Sequence, residues 1–176
     1  TNYILLTYIL EDAYNMTFDK ILKKQILDPL KLKDTYYLPS DKIAFSESYL
    51  FQNEWLVQER TNYSVPLGAG AIYSTVSDLS RFVEALFTTD LLSTHSRQLM
   101  LLTQDGFGMG IVEFPFHEMT GYGHSGGIDG YQSFFGYFPH EKIGFSILSN
   151  GTRYMLIDIN IALLQMATGK GEIIIP

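Results

Sequence analysis

The chain predicts an α+β fold: an antiparallel sheet with a C-terminal helix packed on it, preceded by a helical region. Three observations carry this. Helical periodicity is concentrated in residues 1–102, broken by an irregular stretch at 31–66. From 103 to 176 the character changes to aromatic-rich runs with a two-residue period joined by short turns, the pattern of antiparallel neighbours. The closing run at 154–168 is too densely apolar for a one-sided surface helix, so it should lie on the sheet.

Residues 2–14 read as a helix that is apolar on most sides (Ile4, Leu5, Leu6, Tyr8, Ile9, Leu10) and calls for burial. Thr17 is placed to cap a second helix from Phe18 to Leu27, which Pro29 should end. In 31–66, polar residues mix irregularly with Tyr49, Phe51, Trp55 and Tyr63, and a long aperiodic stretch in a compact domain is either functional or mobile. Tyr49 and Trp55 are candidates to stack on a ligand, although loop aromatics also simply anchor loops. Val65–Gly70 makes a turn ahead of a helix whose Thr75 and Asp78 form a capping pair. Leu79, Phe82, Val83, Leu86 and Phe87 then give the cleanest amphipathic stripe in the chain. Asp78 could pass for a catalytic carboxylate, but a first-turn acid already has a structural reason.

Ser93 to Leu102 reads as a short helix. Phe107–Phe114, Tyr131–Phe138 and Ile143–Ser149 read as strands, with Pro139–Lys142 as the last hairpin turn. Gly169 suits the C-terminal cap of the final helix.

Composition narrows the function classes. With 12 Lys+Arg against 19 Asp+Glu the net charge is −7, and no basic run occurs, which argues against nucleic acid and against an anionic membrane surface. There is no cysteine, hence no disulfide and no thiolate chemistry. His95, His117, His124 and His140 show no metal-ligand spacing, so neither metal nor other cofactor is expected. No stretch is long and apolar enough to span a membrane.

The stretch richest in chemistry is Tyr122–Tyr131, where four glycines surround one imidazole and one hydroxyl. It has three readings. The plainest is a Gly-rich hairpin turn whose polar side chains face water. A second takes Gly123-His124-Ser125-Gly126-Gly127 as G-x-S-x-G, a nucleophile elbow with Ser125 as nucleophile. That elbow requires a helix after the serine, whereas Tyr131–Phe138 is strand-like. A third places His124-Ser125-Gly126 on a strand that forms one wall of an active site.

On this third reading the chain resembles the serine hydrolases related to class C β-lactamases, DD-peptidases and penicillin-binding esterases. His124-Ser125-Gly126 is similar to their late Lys/His-x-Gly strand. Gly68–Leu79 is similar to their Gly-Gly-x-x-Ser-Thr-x-x-Asp-Leu segment. Phe107-Gly108-Met109-Gly110 and Ile147–Gly151 resemble their Tyr-Gly-x-Gly strand and Leu-x-Asn strand end. The family's Ser-x-x-Lys and Tyr-x-Asn do not occur in these 176 residues. Thr1–Leu6 resembles the residues just downstream of Tyr-x-Asn, so the chain is expected to be the C-terminal part of such a hydrolase.

The resemblance implies a partial β-lactamase/transpeptidase-like fold and acyl-enzyme chemistry on an ester, amide or β-lactam. His124 would sit near the nucleophile as a proton carrier, histidine being the side chain suited to that near neutral pH. Ser125 and Gly126 would bind substrate, the Gly127 N–H would face the oxyanion, and Asn150 would line the substrate end. Histidine in place of lysine favours an ester or D-amino-acid peptide over a β-lactam. The partners implied are a small-molecule or peptide substrate and, through an exposed sheet edge, a second copy or the N-terminal part. A periplasmic or extracellular location is implied. The rival is a non-catalytic binding module, a degenerate homologue lacking the nucleophile.

Overall fold

The computed structural model describes residues 1–38 and 45–174; residues 39–44, inside the stretch read as irregular, and 175–176 lie outside the described residues. The fold is α+β, built on a four-stranded antiparallel sheet of β5 (Val112–Phe116), β6 (Met119–Ile128), β7 (Tyr131–Phe138) and β8 (Ile143–Ser149) in that order. Sequence neighbours are sheet neighbours because two-residue turns, His117-Glu118 and Asp129-Gly130, close the first two hairpins.

The strands alternate sides, and the two sides pack against different helices. Helix α4 (Val76–Thr88), followed by the short α5 (Thr94–Leu101) where the sequence suggested one, covers one face, where Val83, Leu86 and Phe87 bury against Ile111 and Tyr137. The Phe87 and Tyr137 rings stack at 4.6 Å. The next residue, Phe138, points the other way and joins Phe116, Met119 and Leu164 of α6 (Leu156–Thr168). Glycines at 121 and 136 make room there: a β-carbon on either would come within 2.8 Å of the Phe114 ring. Gly169 ends α6 in the left-handed region, as its sequence position suggested.

Several sequence expectations are corrected. The first helix, α1 (Asn2–Tyr14), forms, but only Thr7 is buried; Leu5, Leu6, Tyr8 and Ile9 are exposed. Thr7 packs against the 3₁₀ turn Leu67–Ala69, where a β-carbon on Gly68 would clash with Thr7 Oγ1. Thr17 makes no side-chain cap; the Glu11 carboxylate accepts from Phe18 N–H instead, at 2.8 Å. Pro29 does not stop the second helix. Phe18–Leu22 (α2) widens into a π turn at Lys23–Leu27 and continues as α3 (Asp28–Leu30). The wide turn relieves the clash between a proline ring and the carbonyl four residues back.

The stretch read as irregular contains β1 (Tyr36–Tyr37), paired with β4 (Ile72–Tyr73), and a small hairpin of β2 (Tyr49–Gln52) and β3 (Glu54–Val57). The strand read at Phe107–Phe114 begins only at Val112; Phe107 makes isolated bridges to Gln104 and Val112. Thr75 caps α4 as expected, accepting from Asp78 N–H. The Asp78 carboxylate does more than cap. It is buried and accepts from Asp34 N–H at 2.8 Å and Thr35 Oγ1 at 2.9 Å, tying the preceding chain to α4.

Candidate functional site

The site begins with a mismatch in strand length. Strand β5 pairs with β6 only from Phe116↔Met119 to Val112↔Gly123, whereas β7 pairs with β6 all the way to Ile128. Among the described residues, His124–Ile128 therefore have a strand partner on one side only. In an antiparallel ladder, residues alternate between bonding toward one neighbour and bonding away from it. The two-residue turn makes Ile128 and Tyr131 a hydrogen-bonded pair, so Ser125 and Gly127 direct their N–H and C=O groups to the open side. An extended backbone could pair with these groups, and a developing oxyanion could accept from the N–H groups, without disturbing the sheet.

The alternation separates two residues that the sequence places together. The His124 side chain turns toward α1 and Ser125 toward α6; what they share is the open edge. The imidazole has Nδ1 at 2.6 Å from the Ser125 carbonyl oxygen and Nε2 at 3.4 Å from the Tyr3 hydroxyl. It lines a cavity of about 500 Å³ with Tyr3, Gly68, Gly110 and Phe135. No helix follows Ser125, so the nucleophile-elbow geometry is absent at this serine.

A second cavity of about 490 Å³ adjoins the first through Ala69, Gly70 and Ile72. Gly126 and Gly127 stand in its wall, together with Tyr73, Tyr131, Gln132, Ser133 and Asn150 among others. The candidates His124, Ser125, Gly126, Gly127 and Asn150 thus lie along one cleft. Tyr49 and Trp55 do not line it. Tyr49 donates its N–H to the Asn150 carbonyl at 2.8 Å, and its backbone packs so closely on Gly130 that a β-carbon there would sit 2.5 Å from Tyr49 O. Trp55 packs edge-on against Tyr49 and Phe51, half exposed. The Asn150 side chain donates to the Glu47 carbonyl at 2.8 Å, fastening the end of β8 to the β2 loop. Asp129 is likewise structural: it accepts from the N–H and hydroxyl of Thr61 and pins the turn.

Sequence reasoning missed Tyr3, Tyr73 and Tyr131. The Tyr73 hydroxyl donates to Tyr63 at 2.6 Å, and burial together with that hydrogen bond pushes the Tyr73 phenol well above the ordinary tyrosine range. Burial also raises Tyr131. Tyr73 and Tyr131 therefore stand in the cleft wall as neutral phenols. Among the described residues no group of three or more His, Asp or Glu side chains is placed to hold a metal, and no helix is long and apolar enough to cross a membrane.

Residues 1–165 match the family model described as Beta-lactamase. The chain is 31% identical over 170 residues to penicillin-binding protein 4* of Bacillus subtilis, covering 81% of this chain and 37% of that relative. Its backbone resembles a D-stereospecific amidohydrolase from Streptomyces, with a TM-score of 0.80 at 22% identity over 97% of this chain and 54% of that one. It also resembles the octameric penicillin-binding protein homologue from Pyrococcus abyssi, with a TM-score of 0.79 at 24% identity over 96% and 42%. The chain thus spans between about a third and a little over half of the length of these proteins.

Proposed function

Because this chain belongs to the β-lactamase family, we propose that it forms one wall of a serine-hydrolase site that works through an acyl-enzyme. The observation that carries this is the half-paired strand: His124 and the outward N–H of Gly127 stand on an edge that a substrate can reach. Neither Ser-x-x-Lys nor Tyr-x-Asn occurs in the sequence, so the nucleophile would come from polypeptide beyond these 176 residues. Its hydroxyl would attack the substrate carbonyl, the bond to the leaving group would break as that group takes up a proton, and water would then release the acyl group. Gly127 N–H would donate to the oxyanion, where preorganised donors contribute most. Ser125 and Gly126 would bind substrate along the edge, and Asn150 would close the far end. Imidazole rather than a permanent cation supports an ester or D-amino-acid amide over a β-lactam, in keeping with the name of the Streptomyces relative.

The test uses the longest natural polypeptide that carries this chain, assayed on p-nitrophenyl esters, D-amino-acid amides and a chromogenic cephalosporin. Gly127→Pro removes an N–H that points away from β7, at an edge position where a sheet accepts proline, and also fixes φ there. It should lower kcat on the order of a hundredfold, and His124→Ala by a similar factor. Unchanged turnover in both variants, with the fold intact by circular dichroism, would sink the reading. Fast cephalosporin hydrolysis would overturn the substrate preference. The missing signatures also favour a second reading, a binding module without turnover, which predicts no hydrolysis of any of the three but saturable binding of one.

We further propose that the uncovered faces are contact surfaces for a second copy or for the N-terminal part of the protein. Supporting this are the outer edge of β8, the exposed Leu5, Leu6 and Ile9 of α1, and Ile157 and Leu163 of α6. Asn160 of α6 is buried, yet neither amide atom has a partner among the described residues. Size-exclusion chromatography with light scattering checks this; the isolated chain should associate with rising concentration, and a clean monomer counts against it.

A further inference from the structure

The contacts around His124 define more than its location. Nδ1 lies 2.6 Å from the carbonyl oxygen of Ser125, and a carbonyl only accepts, so the hydrogen of that bond belongs to Nδ1. A neutral imidazole protonated at Nδ1 leaves a bare lone pair at Nε2. The Tyr3 hydroxyl lies 3.4 Å from it, with the two rings edge to face at 6.2 Å between centroids. Tyr3 lies one turn before Thr7 in α1. Its carbonyl accepts from Thr7 Oγ1 at 2.9 Å, and Thr7 is the single buried residue of α1, wedged against Gly68. The contact of Thr7 with Gly68 therefore seats the turn of α1 that carries the tyrosine facing the imidazole.

We propose that Tyr3 is a positioning residue: its hydroxyl donates to Nε2 and, with the Ser125 carbonyl accepting from Nδ1, holds His124 as the Nδ1–H tautomer with its lone pair directed into the cleft. This tautomer sets the role of the histidine. At Nε2 it receives a hydrogen bond or a proton, and it cannot donate one there while neutral. The group it serves is a hydroxyl or ammonium, with Tyr3 occupying the lone pair until such a group arrives. A lysine at this position could only donate, so the exchange of residue type reverses the direction of the hydrogen bond. The catalytic meaning rests on the serine-hydrolase reading; the tautomer does not.

The experiment is a long-range proton–nitrogen NMR spectrum of this chain with ¹⁵N-labelled histidine, in which protonated and bare ring nitrogens are well separated. His124→Ala identifies the His124 signals. The expected result is an Nδ1–H pattern for His124 in the wild type. Tyr3→Phe keeps the ring, at a position already 42% exposed, and removes only the hydroxyl. It should move the Nε2 signal toward that of an unbonded nitrogen and leave His95, His117 and His140 in place. An Nε2–H pattern in the wild type, or an Nε2 signal that Tyr3→Phe does not move, overturns the proposal. Because neither readout involves turnover, failure of the hydrolase reading leaves this result standing, and the reverse.

Discussion

The two halves of β6 are one strand in two situations. From Met119 to Gly123 it has a partner on each side and is packed on both faces; from His124 to Ile128 it keeps β7 alone. In the first half glycine is there because nothing larger fits: a β-carbon on Gly123 would lie 2.1 Å from the Phe135 carbonyl oxygen. In the second half, a β-carbon on Gly127 would meet nothing nearer than the Tyr131 carbonyl at 3.8 Å. Packing therefore explains Gly123 and does not explain Gly127. A glycine that the fold does not need is where a close approach by a ligand becomes the better account.

Substitutions can break this comparison. The largest effect is expected from Gly123→Ala, whose methyl group meets fixed backbone; a loss of about 3 kcal/mol should appear in urea denaturation of the chain. A loss below about 0.5 kcal/mol would mean that the paired half is no tighter than the open one. Asp78→Ala should come next. It leaves the Asp34 N–H and Thr35 hydroxyl without their buried acceptor and loosens the attachment of α4, at a cost of about 2 kcal/mol.

Tyr73→Phe should show mainly as a change in pH dependence. The folded state holds the Tyr73 proton more tightly than the unfolded chain does. That stabilisation is fully present below the unfolded value of about 10 and is lost as the pH rises above it. Thermal melts of the wild type should fall more steeply above about pH 10 than those of Tyr73→Phe; parallel curves would count against it. The smallest effect belongs to Gly127→Ala, which should change stability by less than about 0.5 kcal/mol in the same urea denaturation.

How much of this was legible beforehand depended on the range of the interaction. The α4 stripe, the Thr75 cap, the Gly169 cap and the limits of β7 and β8 rest on neighbours within a few residues, and each is found where the spacing put it. Pro29 misled because a π turn, which has no clear composition signal, removed the conflict that proline normally creates. The hairpin at 49–57 was hidden because all of β3 faces solvent, so no alternation of polar and apolar residues marks it. Tyr3 could not have been found from spacing, since 121 residues separate it from His124.

By itself the sequence determined the α+β class, the antiparallel hairpin of β7 and β8 and the motif His124-Ser125-Gly126, because these follow from local period, turn chemistry and residue type. Only the tertiary structure decided that β5 stops opposite Gly123, that His124 and Ser125 turn to opposite faces, and that Tyr3 meets the imidazole. Those outcomes depend on where one strand ends relative to another and on how a helix docks. Such distances are set by packing between segments far apart in the chain, and a linear pattern does not encode them one residue at a time.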